Sequence, residues 1–130
     1  MVGTLIGLRL CAGDAPALAA HGPGDPLLTL GPEHARRLLD QGERPIFVDL
    51  RPVGEYQRGR LPGARSLPLR ELLRRHGEVP RAGRVVLYCA CPLEEIQAAY
   101  QFLRDQGYRN VSVLEEGFAG WVKRGYPVER

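Results

Sequence analysis

Arg84-Val85-Val86-Leu87-Tyr88-Cys89-Ala90-Cys91-Pro92-Leu93-Glu94-Glu95-Ile96 is the stretch that decides how this chain folds. Its first part is a short apolar run bounded by polar residues, which predicts a buried strand over residues 84–88. Its end leads into residues 95–106, where Ile96, Ala99, Tyr100 and Leu103 recur every three or four positions and Gly107 stands just past the end. That is the pattern of an amphipathic helix with its stop signal. Cys89 falls between the two elements. A cysteine between a strand end and a helix N-terminus meets converging backbone N–H groups and the positive end of the helix dipole, and both favour the thiolate. The thiolate is the reactive form, so the position points to sulfur chemistry.

The flanking sequence repeats the alternation of strand and helix. Ile46-Phe47-Val48-Asp49-Leu50, between Pro45 and Pro52, predicts a second buried strand, and residues 111–114 predict a third. Residues 27–30 read as an edge strand and residues 64–67 as a strand pairing beside the others. Gly31-Pro32-Glu33 opens a helix that Gly42 ends. Residues 55–58 make at most a turn or two of helix, and residues 70–76 and 117–124 read as short helices, the last carrying Trp121. Short, continuously apolar strands alternating with helices predict an α/β fold, a mostly parallel sheet of about five strands with helices on both faces. Ligand sites in such sheets lie beyond the carboxyl ends of the strands, where Cys89 sits.

A length of 130 residues suits one domain. Residues 1–26 read as an N-terminal appendage closed by Gly22-Pro23-Gly24-Asp25-Pro26, which leaves residues 27–130 as the domain. The Thr4 to Leu10 stretch either adds a strand or stands apart. Net charge is +3, carried mostly by arginines scattered through helical segments without an interleaved aromatic stripe, so no nucleic-acid partner is expected. No apolar run is long enough for a membrane span, so no membrane partner is expected either. Ala17-Leu18-Ala19 resembles an export cleavage site, but a basic leader is missing and Arg9 and Asp14 interrupt the apolar part, so a cytoplasmic location is expected. Cys11, Cys89 and Cys91 are an odd set without a disulfide framework, which suits a reducing compartment. With only Cys11 or His21 to complete them, Cys89 and Cys91 do not make a zinc site, and no metal is expected.

In its motifs the chain resembles the single-domain rhodaneses of the sulfurtransferase family. Phe47-Val48-Asp49-Leu50-Arg51 with Glu55-Tyr56 is similar to the family's strand-and-turn signature. Gly59-Arg60-Leu61-Pro62-Gly63-Ala64 matches its Gly-His-Ile-Pro-Gly-Ala element, with Arg60 in place of His. Val86-Leu87-Tyr88-Cys89 through Gln97-Ala98-Ala99 aligns with the active-site strand, loop and helix. Glu115-Glu116-Gly117-Phe118, Trp121 and Gly125-Tyr126-Pro127-Val128 resemble the C-terminal signature. The resemblance implies a rhodanese-like three-layer fold and a sulfurtransferase in which Cys89 is the catalytic residue. That residue accepts sulfane sulfur from a donor as a persulfide and passes it to a thiol or protein acceptor, with no cofactor beyond that covalent intermediate.

The active-site loop, Ala90, Cys91, Pro92, Leu93, Glu94 and Glu95, departs from the family. Pro92 replaces a Gly and removes one N–H from the loop. Glu94 replaces an Arg, and Glu95 adds a second carboxylate. At roughly 6 Å and an effective dielectric near 20, one unit charge is worth about 3 kcal/mol before screening, more than a helix dipole supplies. Thiosulfate, a dianion, is therefore expected to be a poor donor, and a neutral, cationic or protein-bound persulfide a better one. Cysteine phosphatases of this fold need an Arg where Glu95 stands, which argues against that chemistry. The rival to an enzyme is a non-catalytic rhodanese-like module that binds a partner or senses redox state. Cys91 reads as a small residue fitting a tight loop, in preference to a resolving thiol or a Cys-Ala-Cys disulfide. Asp49, Arg51, Glu55, Arg60 and Trp121 are expected at the periphery of the site. There Asp49 braces backbone, Arg51 and Glu55 form an ion pair tying the strand end to the next turn, Trp121 packs in the core, and Arg60 could offset Glu94.

Overall fold

Valines and leucines in short runs make strands that can be buried on both faces, and every strand here is joined to the next through helix, so parallel pairing follows. The computed structural model describes residues 27–130; the appendage, with Cys11, His21 and the Thr4 to Leu10 stretch, lies outside them. In chain order the elements are β1 (Thr29–Leu30), α1 (Pro32–Asp40), β2 (Ile46–Asp49), α2 (Val53–Arg58), β3 (Arg65–Ser66), α3 (Leu72–Arg75), β4 (Val85–Tyr88), α4 (Leu93–Asp105), β5 (Val111–Leu114) and α5 (Gly117–Lys123). The sheet runs β1-β5-β4-β2-β3, and every pairing is parallel. β4 is its central strand, with Val86 opposite Phe47, Tyr88 opposite Asp49, and Val85 opposite Val111.

Alternate residues of β4 enter two separate cores, as the two-residue period of a strand requires. Val85 and Leu87 pack with Ile96, Ala99, Tyr100 and Leu103 of α4 and Leu72 of α3. Val86 and Tyr88 pack with Ala35 and Leu38 of α1, Phe47 of β2 and Trp121 of α5. The result is the three-layer α/β architecture that the alternation of elements predicts.

Two helices differ from their sequence patterns. α4 begins at Leu93, ahead of its apolar stripe, because Pro92 caps it at φ −58° and Glu94 and Glu95 suit the first turn. Leu93 is 63% exposed, so it adds nothing to the periodicity. The helix expected over residues 70–76 breaks into a 3₁₀ turn at Leu69–Glu71, α3, and a second 3₁₀ turn at His76–Glu78. Within these pieces Leu72 is buried while Leu73 is exposed, too narrow an apolar stripe to hold a longer helix. Near the C-terminus, Arg60 and Glu129 exchange backbone hydrogen bonds of 2.9 and 2.8 Å, tying the end of the chain to the loop after α2. Among the described residues no helix is long and apolar enough to cross a membrane.

Candidate active site

The floor of the site is built where β2 and β4 end side by side. Asp49 and Tyr88 are register partners, and Tyr88 Oη donates to Asp49 Oδ2 at 2.7 Å. Arg51 grips the same carboxylate from Nε (3.0 Å to Oδ1) and Nη2 (2.7 Å to Oδ2), and its backbone N–H donates to Oδ1 at 2.9 Å. Nη2 also donates to the Gly59 carbonyl at 2.6 Å, and the Leu61 N–H donates to Tyr88 Oη at 3.2 Å. The guanidinium lies 3.9 Å from the centre of the Phe118 ring. Asp49 is fully buried and Arg51 is 4% exposed, so this is a largely buried ion pair in which both carboxylate oxygens accept hydrogen bonds. Burial works against the Arg51 charge, but the hydrogen bonds and charge of Asp49 outweigh it and hold its pKa above the usual value. Burial first, and the Asp49 charge second, push the Tyr88 hydroxyl well above the ordinary phenol range, so it stays a protonated donor. The residue before Cys89 is thereby held through its hydroxyl by Asp49 and by the Leu61 N–H.

From the other side, the turn between β5 and α5 presses on Cys89 itself. Gly117, at φ +58°, lies so close that a methyl group there would collide with the Cys89 carbonyl oxygen. Glu116 also takes a left-handed conformation, at φ +64°, and Arg124 holds its carboxylate with bonds of 2.9 and 3.1 Å.

Between these supports runs the loop. The N–H groups of Glu95 and Ile96 donate to the Pro92 carbonyl at 3.0 and 3.3 Å. Those of Ala90, Cys91, Leu93 and Glu94 donate to no acceptor among the described residues, and Pro92 has no N–H to give. Unpaired N–H groups at a helix N-terminus suit an anion. Cys89 Sγ is bonded to Cys91 Sγ, with the Cα atoms 5.3 Å apart. This corrects the expectation that Cys91 merely fills a tight loop. An extended chain would hold such residues about 7 Å apart, and the turn shortens that into the range a disulfide can span.

Cys89, Ala90 and Cys91 line two open cavities. One, of about 340 Å³, has walls from Leu50, Pro52, Val53, Pro68 and Leu69, with Arg51, Glu55, Arg70, Glu71 and Glu95 as its charged groups. The second, of about 440 Å³, is bounded by Leu93, Ile96, Leu114, Thr29 and the Glu115-Glu116-Gly117 turn. Both fall within the size range of small-molecule sites. Among the described residues no cluster of His, Cys, Asp and Glu is suited to hold a metal ion.

With this geometry in view, the comparisons with known proteins are specific. The model of the rhodanese-like domain family matches residues 31–124. The chain belongs to the rhodanese-like family. A sulfurtransferase of Allochromatium vinosum is 34% identical over 94 residues, which cover 72% of this chain and 86% of the relative. An HTH-type transcriptional regulator of Mycobacterium tuberculosis is 34% identical over 119 residues, 89% of this chain and 51% of the regulator. Among solved structures, the thiosulfate sulfurtransferase of Pseudomonas aeruginosa superposes with a TM-score of 0.68 at 32% identity, covering 80% of this chain and 20% of that one. Family and relatives together support a role of the sulfurtransferase type.

The rhodanese-like site gathers some of the expected residues and not others. Arg51 pairs with Asp49 rather than Glu55, because residues two apart at a strand end share a face. Glu55 instead lines the first cavity. Glu95 lines that cavity too, whereas Glu94 is exposed and lines neither. Arg60 lies 3.9 Å from Glu129 and stacks over the Tyr56 ring at 4.7 Å, so its charge is spent away from Glu94 and from both cavities at Cys89. Trp121 is fully buried against Phe47, with Nε1 donating to the Pro127 carbonyl at 2.8 Å, and lines neither cavity. Leu69, Arg70, Glu71 and Phe118 escape sequence reasoning. The first three follow the end of β3, so the rule that sites gather beyond strand ends could have found them. Phe118 stands in the C-terminal motif, but nothing in that motif assigns it to the Arg51 guanidinium.

Proposed function

We propose that this rhodanese-like domain is a sulfurtransferase that carries sulfane sulfur on Cys89 as a persulfide and hands it to a thiol, free or on a protein. The observation that carries the reading is the position of Cys89. It stands at the carboxyl end of the central strand, on the wall of an open cavity, just before a helix start with unpaired N–H groups. Once the disulfide is reduced, the Cys89 thiolate attacks the outer sulfur of a donor. A bond forms between the two sulfurs, the donor's own S–S bond breaks, and its thiolate (sulfite, for thiosulfate) leaves. An acceptor thiolate then attacks the outer sulfur, takes it, and restores the Cys89 thiolate. The loop N–H groups favour the anionic sulfur at each stage.

The cavity favours some donors over others. It is faced by three carboxylates and two guanidiniums, and the Arg51 guanidinium is already committed to Asp49. A dianion gains little there, so the donor is a neutral, cationic or protein-bound persulfide, and the compartment a reducing cytoplasm.

The disulfide itself favours a second reading, a binding or redox-sensing module without turnover, of the kind that a match covering about half of a transcriptional regulator would fit. One experiment separates the two. Reduced wild type and Cys89→Ser are incubated with thiosulfate and, separately, with a persulfidated protein, and intact masses are measured. The carrier gains one sulfur atom on Cys89 from at least one donor and the variant gains none. No gain from either donor leaves the module. A Cys89 thiol that titrates well below the unperturbed value of about 8.5 supports the carrier in the same way.

A further inference from the structure

We propose that Cys91 is a resolving residue that converts the Cys89 persulfide into free hydrosulfide, which gives the domain a persulfide-reducing activity besides sulfur transfer. The proposal rests on the persulfide reading of Cys89. Its own ground is that Cys91 Sγ reaches Cys89 Sγ closely enough to bond to it, across a Cα separation of 5.3 Å that disulfides ordinarily span. Cys91 is half-buried and lines the same two cavities as Cys89. The N–H groups of Ala90, Cys91, Leu93 and Glu94, without an acceptor among the described residues, belong to the same turn at a helix start as both sulfurs, a setting that favours a thiolate.

A persulfide offers an incoming thiolate two sulfurs. The pairing in the structure selects the inner one, Cys89 Sγ. Cys91 gives its proton to solvent and attacks, and the Cys89 Sγ–Cys91 Sγ bond forms. The bond from Cys89 Sγ to the sulfane sulfur breaks, and that sulfur keeps the electron pair and leaves as HS⁻. Cys91 is oxidised from thiolate to disulfide, the sulfane sulfur is reduced to sulfide, and the Cys89 sulfur keeps its oxidation level. Hydrosulfide departs into the cavity of about 340 Å³, which opens to solvent. The disulfide left behind is the state in the structure. An external dithiol returns it to two thiols by exchange, becoming a disulfide itself and supplying the two electrons of the cycle.

The test excludes small thiols, and the variants control for any hydrosulfide that the donor itself releases. The reduced 130-residue wild type, Cys91→Ser and Cys91→Ala, stripped of small thiols, are given excess thiosulfate, and in parallel a persulfidated protein. Hydrosulfide is trapped with a bimane reagent, and the cysteines are mapped by peptide mass. The expected result for wild type is one hydrosulfide per chain, with Cys89 and Cys91 left joined. Both variants should retain the sulfur on Cys89 and lose hydrosulfide release. If wild type keeps its persulfide as long as the variants do, or if the sulfur is found on Cys91, the resolving role is overturned while the carrier stands. If no form takes up sulfur from either donor, the carrier reading falls and this inference falls with it.

Discussion

The ends of β2 and β4 and the loop that follows β4 wall the same cavity, yet they are fastened in opposite ways. Asp49, Arg51 and Tyr88 are buried and joined to one another by hydrogen bonds. Two residues past Tyr88, Ala90 is exposed, and the N–H groups of Ala90, Cys91, Leu93 and Glu94 have no acceptor among the described residues. The difference separates stability from chemistry. The bracket fixes where Cys89 stands, while the loop and its exposed carboxylates set what Cys89 meets. A change in the first should be read in unfolding, and a change in the second in sulfur transfer.

Breaking the bracket should have the largest effect. Asp49→Asn keeps the shape but leaves the Arg51 charge buried without its partner, and should cost about 3–5 kcal/mol in a urea unfolding experiment. A loss below about 1 kcal/mol would mean that the pair behaves like a surface ion pair. Next comes the contact that ties the two regions together. Gly117→Ala places a methyl against the Cys89 carbonyl at a positive φ, so the turn or the loop must move. Destabilisation of about 1–3 kcal/mol is expected, with slower loading of sulfur onto Cys89; unchanged loading would show that the turn does not position the cysteine.

The loop should respond in kinetics rather than in stability. Glu95→Gln should raise kcat/KM for thiosulfate by about two- to fivefold at low salt, an advantage that fades as salt screens the charge. Glu94→Gln should do less, because Glu94 lines neither cavity at Cys89. The reverse order would overturn this assignment of charge to the cavity wall.

The smallest effect is at the rim of the β5–α5 turn. The Arg124 hydrogen bonds hold Glu116 below its ordinary pKa of 4.5; backbone hydrogen bonding and then Arg124 do the same for Glu33. A depressed folded-state pKa means that the unfolded chain binds the proton more readily. The contribution is therefore present above pH 4.5 and lost as pH falls through the folded-state values. Arg124→Ala should therefore lower stability modestly above pH 4.5 and leave it nearly unchanged at the acid end, which flattens the acid limb of the profile, as followed by thermal unfolding across pH.

Most of the strands, and the residue at the centre of the site, were legible in the pattern. Residues 111–114 form β5 as predicted, and the apolar run before Cys89 forms β4, because a strand buried on both faces leaves an unbroken apolar signature. The start of α4 and the broken helix after β3 were less legible, since exposed Leu93 and Leu73 carry no periodic signal. The partner of Arg51 was misassigned for a different reason. Asp49 and Glu55 are both near it in sequence, and only the way the strand end faces inward distinguishes them.

The sequence alone determined the parallel α/β sheet and the family, and singled out Cys89 as the candidate nucleophile, because apolar periodicity, turn residues and motif spacing are properties of neighbours along the chain. Tertiary structure decided what surrounds that cysteine. It buried the Asp49–Arg51 pair, brought Gly117 beneath Cys89, faced Glu95 rather than Glu94 onto the cavity, and joined Cys91 to Cys89. Those choices depend on which faces of separate elements meet, and the spacing of residues along a chain does not specify that.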